Sequence, residues 1–173
     1  MHVGMATFFQ NLGQRISDHA VYRHEISMAD LAEPLGFDSI WGAEHHFDDY
    51  TMCPNVAQFL TYMAARTMRV KLGSMVMVLP WHNLLRFAEE ISVLDDLSGS
   101  RVILGIGRGL GRIEFRGFRV AMSESRGRFS EYASRRAGRR RRIAAGGRLA
   151  TTASACGAGS ASRRDMIGAF PPR

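Results

Sequence analysis

The sequence is poor in lysine, cysteine, proline and long apolar runs. It has one lysine, Lys71, against 22 arginines, and only two cysteines, Cys53 and Cys156, far apart. Two such cysteines exclude a disulfide-stapled scaffold and match a reduced intracellular protein. No apolar run is long enough to cross a membrane. The N-terminus, Met1-His2-Val3-Gly4-Met5, lacks the basic start and apolar run of a secretion signal, so a cytoplasmic location is expected. Acidic residues are scarce only at one end. Residues 133–173 hold ten arginines and a single acid, Asp165, a charge of +9. Residues 1–132 hold 13 basic and 15 acidic residues, a charge of −2. The overall +7 therefore belongs to the last 41 residues, and the rest makes no claim on nucleic acid or on a membrane.

What is present is an alternation of short apolar strands and amphipathic helices. Val3 to Phe9 reads as a first strand. Asp18 reads as the cap of a helix running to Leu35, where Gly36 can turn the chain. Ser39–Ala43 is a second strand, and Asn55 caps a helix to Arg66. Val70 to Leu79 is a third strand, Leu84 to Leu97 a helix, and Arg101 to Ile106 a fourth strand. Gly107 to Arg119 reads as a loop, after which Ser123 caps a last helix through Tyr132. Strands apolar on both faces and separated by helices spell a parallel α/β sheet of right-handed βαβ units. An open doubly wound sheet and a closed eightfold barrel share this pattern.

After Tyr132 the pattern stops. Residues 133–173 are mostly Arg, Ala, Gly, Ser, Thr and Pro, too poor in large apolar side chains to offset ordering entropy. This tail is expected to be a disordered basic segment. Its composition, with the near-absence of lysine, matches a GC-rich gene read out of frame from about codon 132.

Chemistry concentrates at Glu44-His45-His46, where the second strand ends. In parallel α/β folds, ligands bind at the C-terminal ends of strands. An imidazole moves protons near neutral pH, and a neighbouring carboxylate can fix its tautomer. Adjacent side chains on extended chain point apart, so the triplet is a poor metal site, and no metal is expected. Gly105, Gly107, Gly109 and Gly111 invite a dinucleotide-binding reading. Leu110 stands where the third glycine of that motif belongs, and the stretch follows a fourth strand rather than a first. What survives is a turn whose amides, with the Arg108 fork, suit an anion.

Eight collinear blocks carry a family resemblance: Leu35-Gly36-Phe37-Asp38-Ser39-Ile40-Trp41, Glu44-His45-His46-Phe47, Val70-Lys71-Leu72-Gly73-Ser74, Val78-Leu79-Pro80, Ala88-Glu89-Glu90, Leu94-Asp95, Leu97-Ser98-Gly99 and Leu104-Gly105-Ile106-Gly107-Arg108-Gly109. Over residues 1–132 the chain resembles the luciferase-like flavin monooxygenases. The resemblance implies the N-terminal half of a (β/α)₈ TIM barrel. It implies that His45, with Glu44 beside it, is the catalytic proton-transfer group. It further implies that Ser74, Met75 and Val76 flank the flavin ring, commonly at a non-proline cis peptide. Gly107, Arg108 and Gly109 match a flavin-contacting loop, and Ser125 and Arg126 a pair near the flavin phosphate.

The implied reaction uses reduced FMN, delivered by a partner flavin reductase, and O₂ to oxygenate a small organic substrate. Some relatives use a deazaflavin for hydride transfer instead. A whole barrel of this kind needs about 250 residues. At 173 residues four strands are missing, so impaired activity is expected, and two exposed sheet edges leave dimerisation open. A non-catalytic flavin-binding or assembly fragment is the alternative reading.

Overall fold

A computed structural model describes residues 1–137 and the pair 158–159. Strand β1 (Gly4–Thr7) leads to helix α1 (Asp18–Asp30), then β2 (Ser39–Gly42) and α2 (Val56–Arg66). Next come β3 (Lys71–Ser74), β4 (Met77–Val78) and a 3₁₀ turn at Leu79–Trp81. Helix α3 (Leu84–Ser98), β5 (Val102–Gly107), α4 (Arg112–Gly117), a 3₁₀ turn at Met122–Glu124, α5 (Ser125–Ala137) and β6 (Ala158–Gly159) complete the described elements.

Strands β1, β2 and β3 pair in parallel, with Thr7 beside Gly42 and Gly42 beside Ser74. β3 and β4 both pair in parallel with β5, and β6 adds an antiparallel pair at Leu104 and Gly105. All parallel strands thus end on one side, as in the expected half barrel. Helices α2 and α3 cover one face. Leu60, Met63, Ile91 and Leu94 meet Ile40, Leu72, Val102 and Leu104 there, all essentially removed from water. On the opposite face the Trp41 indole lies across its neighbours, which must be glycine. A Cβ on Gly73 would sit 2.4 Å from the ring and one on Gly4 2.5 Å from it.

The helix caps follow the sequence. Asn55 accepts from the Gln58 amide, and Asn83 accepts from the amides of Leu85 and Arg86. Gly99 ends α3 in the left-handed region.

Five expectations are corrected. Ser17, rather than Asp18, caps α1, accepting from the Ala20 amide. That helix stops at Asp30, because Pro34 cannot continue it and residues 31–36 form turns closing on Gly36 at φ +83°. The expected strand Val70–Leu79 is two strands, broken at Met75 and Val76, whose peptide is cis. The expected loop Gly107–Arg119 contains α4. The last helix reaches Ala137, five residues past the expected boundary. Apart from that extension and β6, the expected tail lies outside the described residues.

Candidate active site

Every expected site residue except Ser125 and Arg126 sits at or just beyond the C-terminal end of a parallel strand. Glu44, His45 and His46 follow β2, Met75 and Val76 follow β3, and Arg108 and Gly109 follow β5.

Glu44 is buried and central. Its Oε1 lies 3.0 Å from His46 Nε2 and 3.0 Å from His82 Nε2. Its Oε2 also lies 3.0 Å from His82 Nε2 and accepts from the Val78 amide at 2.9 Å. Burial pushes this carboxyl up. The hydrogen bonds from His46, His82 and Val78, with the charge of His82, outweigh burial and hold it below the usual carboxylate range. The same contact acts in reverse on His82. Burial pushes its imidazole down, but Glu44 and the more distant Glu90 raise it above the ordinary value. An ionised Glu44 only accepts, so His46 and His82 each present Nε2–H to it. The cluster ties the end of β2 to the loop after β4.

Glu44 therefore does not serve His45. That imidazole has another carboxylate, Glu114, on the α4 that the sequence reading missed. His45 Nδ1 lies 3.2 Å from Glu114 Oε1, and the His46 amide donates to the same oxygen at 3.1 Å. Glu114 is buried while the His45 side chain is 43% exposed. A buried acceptor at Nδ1 selects the tautomer with the proton there. Nε2 is left as the nitrogen able to take or give a proton. No pattern in Arg112-Ile113-Glu114-Phe115-Arg116 announces this, since a lone acid among arginines reads as a solvated ion pair.

Aromatic rings pack beside the two histidines. His46 meets Phe118 edge-on at 4.7 Å, Trp81 stacks on Phe118 at 5.0 Å, and Phe115 closes on Trp81 at 4.6 Å. Phe47 remains 57% exposed next to them.

The remaining expected residues divide. Arg108 Nη1 donates to Ser125 Oγ at 3.4 Å, which brings together the loop after β5 and the first turn of α5, where Arg126 is exposed. Ser74 is occupied by the fold. Its hydroxyl donates to the Gly105 carbonyl at 2.8 Å and accepts from the Gly105 amide at 3.0 Å, sewing β3 to β5 across the strand break. Met75 and Val76 are half-buried, with Val76 packed so closely on Gly107 that a Cβ there would lie 2.4 Å from it. Gly109, at φ +77°, packs so closely on Trp81 that a Cβ there would lie 2.9 Å from the indole. Cys53 lends its carbonyl to the His45 amide, and burial, against a hydrogen bond from the Asn55 backbone, pushes its thiol up to about 12. Among the described residues no His, Cys, Asp and Glu cluster could hold a metal ion. Nor is any described helix long and apolar enough to cross a membrane.

Parallel βαβ units with histidines and buried carboxylates gathered at the strand ends define an α/β fold of half-barrel type. The luciferase-like monooxygenase family model matches residues 1–158, and the chain belongs to that family. It is 36% identical over 119 residues to the uncharacterized protein y4vJ of Sinorhizobium fredii, covering 69% of this chain and 34% of that protein. It is 32% identical over 112 residues to the alkanal monooxygenase alpha chain of Photorhabdus luminescens, covering 65% and 31%. Among solved structures, monooxygenase RslO1 from Streptomyces bottropensis aligns with a TM-score of 0.73 at 31% identity, over 79% of this chain and 42% of that one. The FMN-bound oxygenating constituent of 3,6-diketocamphane monooxygenase from Pseudomonas putida aligns with a TM-score of 0.69 at 17% identity, over 99% and 50%. It speaks for the fold alone. The chain spans about a third of the length of the curated relatives it matches.

Proposed function

We propose that this chain carries the strand-end site of a flavin-dependent monooxygenase that oxygenates a small organic substrate with O₂, working in the cytoplasm. The observation that carries this reading is His45. It is a half-exposed imidazole at the end of β2 whose Nδ1 is held by a buried carboxylate. Membership of a family whose relatives include alkanal monooxygenases supports the same chemistry.

The donor set fits a flavin. Two guanidiniums and a hydroxyl suit a phosphate, and Arg108, Ser125 and Arg126 would hold it. Met75, Val76 and the glycine turn at Gly107–Gly109 would line the ring. When bound, reduced FMN supplies the electrons with which O₂ is activated, and a separate flavin reductase delivers it. The chain's own part is to orient substrate and move a proton at His45 Nε2. Glu114 keeps the opposite nitrogen protonated and acts through His45 as a positioning residue. The aromatic wall of Phe47, Trp81 and Phe118 excludes water and favours an apolar substrate.

The full chain, given pre-reduced FMN, air and a long-chain alkanal as probe, is expected to form the corresponding acid, at the impaired rate expected of half a barrel. His45→Ala is expected to slow that reaction by roughly 10²–10⁴-fold, the usual worth of a positioned acid or base. Product formation at an unchanged rate in the variant, measured by mass spectrometry, would remove His45 from this role.

A further inference from the structure

Helix α4 has two chemically opposite sides. One carries Glu114, buried and engaged with His45 and His46. The other carries Arg112 and Arg116, one turn apart, with Arg119 immediately beyond the helix end continuing the same line. These three side chains edge a groove of about 590 Å³, a size that suits an organic ligand, whose floor includes Phe115, Val120 and Met122.

Charge and backbone both mark the groove. Arg66, Arg86 and Arg128 each pair with an acid, Asp30, Glu89 and Glu124 respectively. Arg112, Arg116 and Arg119 have no carboxylate partner among the described residues, and no acid lines the groove. Like charges one turn apart repel, and no carboxylate among the described residues pairs with them to offset that cost. Arg119 also holds φ +55°, a region that disfavours residues other than glycine. Its amide donates to the Arg116 carbonyl and that of Val120 to the Phe115 carbonyl, fixing the turn against the helix. The groove is thus a preset row of guanidinium forks beside an apolar strip.

We propose that this groove binds an organic anion, with a phosphate or carboxylate head on Arg112, Arg116 and Arg119 and an apolar body along Phe115, Val120 and Met122. Guanidinium forks match both heads, and the apolar floor separates such a ligand from a bare inorganic ion. The site does not depend on flavin, whose phosphate would fall to Arg108 and Arg126.

The test is calorimetric titration of the full chain with octyl phosphate and octanoate, against inorganic phosphate and acetate as heads alone. At least one octyl ligand is expected to bind ten times or more tightly than its head group, and comparison of the two identifies the preferred head. R112A/R116A is expected to weaken that binding at least tenfold, and R126A to leave it unchanged. In the wild-type chain the ligand is expected to shield Arg112, Arg116 and Arg119 from phenylglyoxal, read by peptide mass spectrometry, which needs no variant to fold. Binding of neither octyl ligand, undiminished affinity in R112A/R116A, loss in R126A, or no shielding at these arginines would overturn the proposal.

Discussion

Replacing Arg101 with methionine is expected to destabilise the chain by about 3–5 kcal/mol, a fall in Tm of roughly 6–20 °C. Arg101 is buried, and no acid among the described residues forms an ion pair with it. It spends all its side-chain N–H groups on oxygens of the fold. Nε donates to the Ser98 carbonyl at 2.6 Å. Nη1 donates to Thr67 Oγ1 at 2.8 Å and to the Val70 carbonyl at 3.0 Å. Nη2 donates to the Ala64 and Thr67 carbonyls at 2.9 and 3.0 Å. These carbonyls lie at the C-terminal ends of α2 and α3 and on the approach to β3, where helix dipoles also favour a cation. Burial lowers the guanidinium's pKa without neutralising it, so its charge is part of the arrangement. Methionine fills the space but satisfies none of the acceptors. Lysine keeps the charge but not the fork, so Arg101→Lys is expected to fall between wild type and Arg101→Met in urea denaturation. A lysine variant as stable as wild type would show that charge alone matters here.

Glu44→Ala is expected to cost a similar amount, about 3–5 kcal/mol, because it strands two half-buried imidazole donors and the buried Val78 amide. Its pH dependence separates this explanation from simple loss of packing. Glu44 titrates below its ordinary value in the folded chain. Its contribution is therefore complete above about pH 4.3 and disappears as pH falls through the lowered value. His82 titrates above its ordinary value. Its contribution is complete below about pH 6.5 and disappears as pH rises through the raised value. The cluster thus stabilises most between about pH 4.3 and 6.5. Stability curves of Glu44→Ala should lack both arms, and those of His82→Ala only the alkaline one. Parallel curves for wild type and Glu44→Ala at all pH values would contradict the assignment.

The same residues show how far the sequence could be read. Strands β1, β2 and β5 and helices α2 and α3 were legible because their signals are local. Apolar runs end at Asn55 and Asn83, whose side chains cap, and at Gly99, whose backbone turns. The end of α1 was not, because Leu31 and Leu35 continue the apolar spacing while lying 44% and 66% exposed after Pro34 has already ended the helix. Helix α4 was missed because its glycines and arginines read as loop, and its order comes from burying Phe115 and Glu114. The site was legible in position but not in pairing. Glu44 next to His45 suggested a pair, yet neighbours on extended chain diverge, and each found its partner elsewhere: Glu44 at His46 and His82, His45 at Glu114. Contacts 38 and 69 residues apart leave no periodic trace. Arg101 was hidden for the same reason, since its acceptors come from three separate elements.

The central proposal is that the strand ends of this chain hold a flavin through Arg108 and Arg126. The most direct measurement is the quenching of FMN fluorescence on titration with the full chain, alongside Arg108→Ala. The account predicts saturable binding at one site, weakened at least tenfold by the substitution. Absence of saturable binding, or equal affinity in Arg108→Ala, would contradict it.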